Sequence, residues 1–412
     1  MPNRIRTLKA RRILNSRGDY TIETTIQTAN GFFAGSAPKG GSKGNLEAKE
    51  LPAITAVRKV NLRIAPHLVK RALPHQSKLD ARLLELDGTR YKSRLGGNSL
   101  LSVSIAGCKA NAAAKNKKLY QYIAQLADNK KLVLPVPFLN ILNGGKHAGM
   151  KNDIQEAMIV PKKFKSFSAA LGAGTAVFHA LRKILHQKWG ASATLVGNEG
   201  GFVPQKAKTI EQRLELLENA VEQAGFKKKV FFAIDSAATQ FYSAKKKQYV
   251  LGKKKFSKVK LVEYYARLAK SFPLVSIEDG LAENDWNGWE ALTQKMGKKL
   301  QIVGDDLLVS NPAYIRMAAQ KKACNSLLLK PNQIGTVSES IEASQLALKS
   351  KWMVMVSHRS GETNDSFIAD LAVGLGVGQC KFGAPDRGER IAKYNRLLQI
   401  ESELGKKARF GI

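Results

Sequence analysis

Six short apolar runs in the later part of the chain each stop at a charged or titratable side chain, and this repeat limits the possible folds more than any other feature. The runs are Val230 to Ile234, Leu274 to Ile277, Leu300 to Val303, Ser326 to Leu329, Trp352 to Ser357, and a short one ending at Cys380. In order they stop at Asp235, Glu278, Asp305, Lys330, His358 and Lys381. A strand, a helix and two loops need about 25 to 30 residues, and every interval after the first is close to that size. Amphipathic helical stretches separate the runs, so the sheet is expected to be largely parallel. In a barrel the C-terminal ends of parallel strands share one face, where chemistry collects. The repeat therefore predicts a mouth carrying three carboxylates, two lysines and a histidine.

The earlier part of the chain follows another pattern. Arg11 to Ala34 contains alternating stretches such as Thr21-Ile22-Glu23-Thr24-Thr25-Ile26, which suit antiparallel strands. A Gly-rich loop follows, from Ala37 to Gly44, and reads as a flexible lid around Ser42. It is not a P-loop, because no GK[ST] stands at the required spacing. Helical patterns come next, from Ala53 to Val69 and from Asn98 to Ala127. Asp128-Asn129-Lys130-Lys131 reads as a linker. The division is thus 1–127, a smaller α+β unit bearing the lid, and 128–412, an α/β barrel.

With 412 residues and 44% apolar side chains, two cores are affordable. No run of about 18 apolar residues is present, so no membrane span is expected. The opening Met-Pro-Asn-Arg-Ile-Arg lacks the apolar stretch of a secretory signal. Cys108, Cys324 and Cys380 are odd in number and form no CxxC pair, which suits a reducing, cytoplasmic setting. The charge is unusual: 67 Lys+Arg against 33 Asp+Glu gives +34. Such a field favours phosphorylated substrates or nucleic acid, and a solvated basic surface accounts for it equally simply. Lys245, Lys246, Lys247, Lys253, Lys254, Lys255, Lys258 and Lys260 flank the strand-like Gln248-Tyr249-Val250-Leu251. They suggest a basic hairpin away from the barrel mouth, able to bind RNA or another polyanion without sequence preference.

Carboxylates at neighbouring strand ends repel one another unless a cation lies between them. Asp235, Glu278 and Asp305 offer only oxygen donors, which suits Mg²⁺ rather than zinc. The competing reading, that each merely caps the next helix, weakens when three occur in consecutive units. Lys330 ends an apolar run; desolvation lowers its pKa, and Lys381 and a metal would lower it further, making it a base for a weak carbon acid. His358-Arg359-Ser360 reads as an anion clasp. Glu199, between glycines, and Glu156, after a Gly-rich stretch, are either acid/base carboxylates or parts of plain turns.

Taken together, the motifs resemble enolase over nearly the whole chain. They are Leu14-Asn15-Ser16-Arg17-Gly18, Leu142-Asn143-Gly144-Gly145-Lys146-His147-Ala148-Gly149, Gln155-Glu156-Ala157-Met158, Gly197-Asn198-Glu199-Gly200-Gly201-Phe202, Ser276-Ile277-Glu278-Asp279, Val303-Gly304-Asp305-Asp306-Leu307, Leu329-Lys330-Pro331-Asn332-Gln333-Ile334-Gly335, and Ser357 through Thr363. Gly383-Ala384-Pro385 and Glu389-Arg390-Ile391-Ala392-Lys393-Tyr394-Asn395 complete the set. The Gly-Gly-Lys-His-Ala-Gly form is most similar to archaeal or bacterial members.

The resemblance implies a barrel of the (β/α)8 type whose first units depart from strict alternation. It implies Mg²⁺-dependent interconversion of 2-phosphoglycerate and phosphoenolpyruvate. Asp235, Glu278 and Asp305 would hold the first ion. Ser42 would help hold a second, recruited with the substrate. Lys330 would be the base, Glu199 the acid with Glu156 beside it, and His147 and His358 would close over the substrate. Lys381 would meet the substrate carboxylate, and Arg359 and Ser360 its phosphate. A homodimer is implied as well.

Asn15, Asn198, Gln240, Pro331 and Phe382 depart from the family's usual residues, as do Lys39 and Lys43 in the lid. About a dozen residues usual after the lid are missing near Leu51-Pro52. Two other readings compete. One is a different acid dehydratase or racemase of the superfamily, against which the clasp and lid argue. The other is a basic enolase-like protein kept for RNA or ribosome binding.

Overall fold

The computed structural model describes residues 3–41 and 46–411. The alternating N-terminal stretch forms three antiparallel strands, β1 (Thr7–Leu14), β2 (Tyr20–Thr28) and β3 (Gly31–Ser36). On β2 the residues Ile22, Thr24 and Ile26 are buried while Glu23 and Thr25 between them are not, so one face is the packed face. The helix Gly97–Ala114 lies against β2 and β3, with Thr24 Oγ1 and Ser102 Oγ 2.7 Å apart. That helix is buried on nearly all sides because the barrel covers the face turned away from the sheet. The outer edge of β1 is partly satisfied by a side chain: Asn61 Oδ1 accepts from Ala10 N and Asn61 Nδ2 donates to Ala10 O, at 2.8 and 3.1 Å.

The barrel strands are β4 (Val136–Pro137), β5 (Leu139–Asn143), β6 (Glu156–Pro161), β7 (Val230–Asp235), β8 (Leu274–Glu278), β9 (Gln301–Gly304), β10 (Ser326–Leu329), β11 (Met353–Ser357) and β12 (Gly378–Lys381). Their order around the sheet is β4-β12-β11-β10-β9-β8-β7-β6-β5. β4 and β5 are two halves of one strand broken at Phe138, whose N–H bonds Cys380 O at 2.7 Å, and this closes the ring. β7 through β12 pair in parallel, as the strand-and-helix repeat requires. β6 runs antiparallel to both β5 and β7. Inside, Phe138, Met158, Val160, Ala233, Val303, Leu328 and Met355 fill the barrel as a packed core. Among the described residues no helix is long and apolar enough to cross a membrane.

Two helical expectations need correction. Asn98 to Ala127 is two helices, Gly97–Ala114 and Leu119–Leu126, because the chain turns through a left-handed Asn116. Ala53 to Val69 is helical but widens into a π turn at Val60–Ile64, just before Pro66, which has no N–H to offer the preceding turn. The basic hairpin is real: Gln248–Leu251 pairs with Tyr242–Ser243 and with Lys254–Phe256. Its expected position is not. It hangs from the loop after β7 and bonds Asn152 O through Gly252 N at 2.6 Å, so it sits on the mouth side of the barrel, although it contributes no wall to the cleft.

Buried polar contacts bind the N-terminal unit to the barrel. Asp80 accepts from Ser104 Oγ at 2.6 Å and from Ser338 N and Oγ at 2.9 and 2.6 Å. Lys109 donates to Asp365 Oδ1 at 2.8 Å and Ala34 O at 2.7 Å. Burial pushes the Asp365 carboxyl up, but Lys109 and backbone donors outweigh it and hold it below the ordinary 3.8. A carboxyl held low stabilises the fold fully above its ordinary value, and the gain is lost as pH falls through the depressed one. Lys109→Met should therefore cost about 2 kcal/mol near neutrality and less at about pH 3, below the ordinary carboxyl value, where the gain has begun to be lost. Urea unfolding at the two pH values checks this; a gap between parent and variant that ignores pH contradicts it.

Candidate active site

The barrel brings the six strand-end residues together as the repeat predicted. Asp235, Glu278 and Lys381 are the last residues of their strands, and Asp305, Lys330 and His358 follow theirs directly. Glu156 belongs to the same rim for a different reason. It begins β6, and the antiparallel register places it between Asn143 and Asp235.

Two ammonium groups, the buried Lys381 and the partly buried Lys330, offset this negative charge. Lys381 Nζ lies 2.8 Å from both oxygens of Glu278, 3.0 Å from Glu156 Oε2 and 3.5 Å from Asp235 Oδ2. Burial works against the Lys381 charge, yet Glu156, Glu278 and Asp235 raise its pKa well above the usual lysine value and favour the charged form. Lys330 Nζ donates to Asp305 Oδ2, while Gln333 Nε2 donates to Asp305 Oδ1 at 2.9 Å. Burial, Arg359 and Lys381 push Lys330 down as expected from its position. Asp305 nonetheless wins, and the net shift is upward. The expectation of a depressed lysine is therefore corrected: the carboxylate beside it supplies more than desolvation removes.

The second cluster surrounds Glu199. His147 bridges two carboxylates, with Nδ1 3.2 Å from Glu156 Oε1 and Nε2 3.8 Å from Glu199 Oε1. His358 Nε2 is 3.3 Å from Glu199 Oε2, and Asn140 Nδ2 donates to the same oxygen at 3.0 Å. Burial pushes the Glu156 carboxyl up, and the Glu199 charge adds to this. Glu199 goes the other way: despite burial, His147, His358 and Arg390 hold it well below the usual carboxylate range. Burial pushes His358 down to about 4, whereas at the partly buried His147 desolvation is outweighed by Glu199 and Glu156, which raise it. The two carboxylates therefore have opposed tendencies, the arrangement that acid/base chemistry uses.

The clasp is also assembled. Arg359 holds Glu47 with two nitrogens, at 3.0 and 3.2 Å, and NH1 also donates to Asn332 Oδ1 at 3.1 Å. Ser360 Oγ accepts from Arg17 NH1 at 3.4 Å. Lys39 and Gly361 exchange backbone hydrogen bonds at 2.8 and 2.9 Å, tying the start of the lid to the clasp. Ser42 and Lys43 lie outside the described residues. The loop carrying His147 needs glycine at 144: a Cβ there would stand 1.9 Å from Arg213 NH1 and 2.4 Å from Ile154 O. Arg213 in turn grips Asp153 with two bonds of 2.6 Å, holding the loop down.

The chemistry of the rim fits a hard divalent cation, since the donors are oxygens, buried at Asp235 and Glu278 and partly buried at Asp305, and outnumber the ammonium groups. Glu278 shows the unrelieved charge: burial and Asp235 push its carboxyl well above the usual range. Among the described residues, two donor groups have all their atoms within 4.8 Å of one another, His147/Glu156/Glu199 and Asp279/Asp305/Asp306. Asp235, Glu278 and Asp305 share the rim but are not grouped that tightly. Asp279 fixes the backbone at Asp305, accepting from Asp305 N and Asp306 N at 2.9 and 3.1 Å. Asn140, Gln333, Glu47 and Arg390 have no role in the sequence reading. Asn140, Glu47 and Arg390 act through contacts distant in the chain, whereas Gln333 stands in the same turn as Lys330 and only its reach to Asp305 is hidden by chain order.

The comparisons agree with this geometry. The family model described as "Enolase, N-terminal domain" matches residues 5–123, and "Enolase, C-terminal TIM barrel domain" matches residues 131–411. An enolase from Solanum lycopersicum is 47% identical over 429 aligned residues, covering 98% of this chain and 96% of that protein.

Proposed function

The chain belongs to the enolase family, and from that premise we propose how its residues perform the family's reaction, the reversible dehydration of 2-phospho-D-glycerate to phosphoenolpyruvate. It is a lyase of glycolysis and gluconeogenesis. The observation that carries the assignment of roles is that one cleft holds a partly buried lysine, Lys330, together with the Glu156/Glu199 pair and the Arg359-Ser360 clasp. Retention of this whole set argues against a chain kept only for RNA binding.

Lys330 takes the substrate's α-proton. It can do so only when Asp305 is engaged elsewhere, since that carboxylate otherwise keeps the ammonium charged. Glu199 gives the departing hydroxyl its proton. Glu156 stores that proton, and His147, in reach of both carboxylates, completes the connection. Lys381 pairs with the substrate carboxylate, and Arg359 and Ser360 take the phosphate. His358 steadies Glu199. Asp235, Glu278 and Asp305 would hold a first Mg²⁺, and Ser42, with the phosphate, a second. Bound there, Mg²⁺ supplies positive charge where removal of the α-proton leaves the substrate carboxylate doubly negative.

The two chemical steps should separate. Lys330→Ala is expected to stop exchange of the substrate α-hydrogen with deuterated solvent. Glu199→Gln should slow dehydration by about 10² or more while exchange stays measurable, because proton removal comes first. Loss of exchange in Glu199→Gln with substrate still bound would show that the roles are not divided in this way.

Metal dependence has a readout apart from turnover. Calorimetric titration with Mg²⁺ should give binding to the parent and a loss of about tenfold or more in affinity for Asp305→Ala. In EDTA the variant should still unfold cooperatively, at a lower temperature than the parent because Lys330 and Gln333 lose Asp305, and turnover of the parent should vanish. Parent-like Mg²⁺ affinity in Asp305→Ala would remove Asp305 from the ligand set.

A homodimer follows from the family alone. With +34 on each chain, association should strengthen with salt. Light scattering at micromolar concentration and physiological salt decides it; monomer alone is the contrary result.

A further inference from the structure

Arg390, on the helix Gly388–Leu404, is fully buried and touches two parts of the site at once. NH1 donates to His358 Nδ1 at 2.7 Å and to Arg359 O at 2.6 Å. NH2 donates to Ser360 O at 2.8 Å and to Asn198 O at 2.9 Å, and Glu389 Oε1 stands 3.3 Å from Nε. One planar group thus spans the clasp after β11 and the loop that presents Glu199.

A guanidinium only donates and does not give up its proton. His358 Nδ1, facing it at 2.7 Å, must therefore offer a lone pair. The imidazole proton is then on Nε2, which faces Glu199 Oε2. The packing keeps the assembly this tight: Gly383, at φ +90°, would with a Cβ come within 2.7 Å of Glu199 O and 3.0 Å of both Arg390 Cδ and His358 Cε1.

We propose that Arg390 is a positioning residue that locks His358 in its Nε2–H tautomer and, through the carbonyls of Asn198, Arg359 and Ser360, sets the acid and the phosphate clasp in register. The proposal rests on the reading of Glu199 as the acid. It also explains why asparagine is tolerated at 198. Arg390 engages the backbone oxygen of that residue, while its side chain is exposed.

The tautomer is measurable in the unmodified protein. Long-range ¹H–¹⁵N spectra of ¹⁵N-histidine-labelled protein at neutral pH should show His358 with its proton on Nε2; the signal is assigned by its loss in His358→Asn. Arg390→Met should scramble the tautomer, raise KM and lower the ratio of dehydration to α-hydrogen exchange about tenfold. Arg390→Lys keeps one donor and should restore the tautomer while leaving KM high. An Nδ1–H or doubly protonated His358 in the unmodified protein overturns the proposal, whether or not either variant folds. So does a folded Arg390→Met protein, judged by its melt, with the parental tautomer and ratio. Failure of Glu199→Gln to separate the two steps would instead remove the acid assignment and leave the spectroscopic result standing.

Discussion

Everything around the mouth answers to one electrostatic constraint: carboxylates converge in a buried place, and two lysines must hold them there. Lys381 contacts Glu278, Asp235 and Glu156 together, and because all four side chains are buried, solvent screens the repulsion among those three only weakly. Unpaired, any of these carboxylates would cost several kcal/mol. The parallel strands supply the convergence, and β12, which closes the ring, supplies the main counter-charge. Closure of the barrel and neutralisation of its mouth therefore depend on the same strand.

The cleft is also not a property of the barrel alone. Glu47 and Arg17, from the N-terminal unit, hold the two residues of the clasp. Ala48 N bonds Gln333 O at 2.8 Å, and the Gln333 side chain reaches Asp305. Ser310 Oγ links Gln333 Oε1 to Lys330 N, at 2.7 and 2.9 Å. A shift of the N-terminal unit would thus be felt at Lys330, the proposed base, and at Asp305, a candidate metal ligand. The polar seam through Asp80 and Lys109 serves the site as well as the fold.

Most departures from the family pattern are absorbed by what each residue does locally. Asn15 Oδ1 accepts from Arg17 N and Asp19 N at 2.9 and 3.1 Å, which a carboxylate oxygen would do equally. Gln240 Nε2 donates to Gln155 Oε1, and Gln155 Nε2 then donates to Asp235, so the amide orients a candidate ligand without adding charge. Phe382 is buried beside Tyr394, and Pro331 begins a one-turn helix, where a missing N–H costs nothing.

The sequence by itself determined the parallel part of the barrel and the six strand-end residues, because a strand's last residue inherits its position from a local repeat. It also marked the N-terminal hairpins, where alternation is local. Family likeness, rather than spacing, supplied the roles of Glu199, Glu156 and His147, and the departure of the first barrel units from strict alternation. The tertiary structure decided the rest. The antiparallel β6 carries Glu156 to the rim by reversing the chain, which no repeat reveals. Asn116, in a left-handed conformation within the polar run Lys115-Asn116-Lys117-Lys118, divides what reads as one helical stretch. The shift of Lys330 changes sign because Asp305, a neighbour across the sheet, outweighs the burial that its own apolar run announced. Arg390 and Glu47 matter only through contacts 32 and 312 residues away, with His358 and Arg359 respectively. Local propensity is written in neighbouring residues, whereas charge balance and hydrogen-bond direction belong to neighbours in space, and only the closed barrel brings those together.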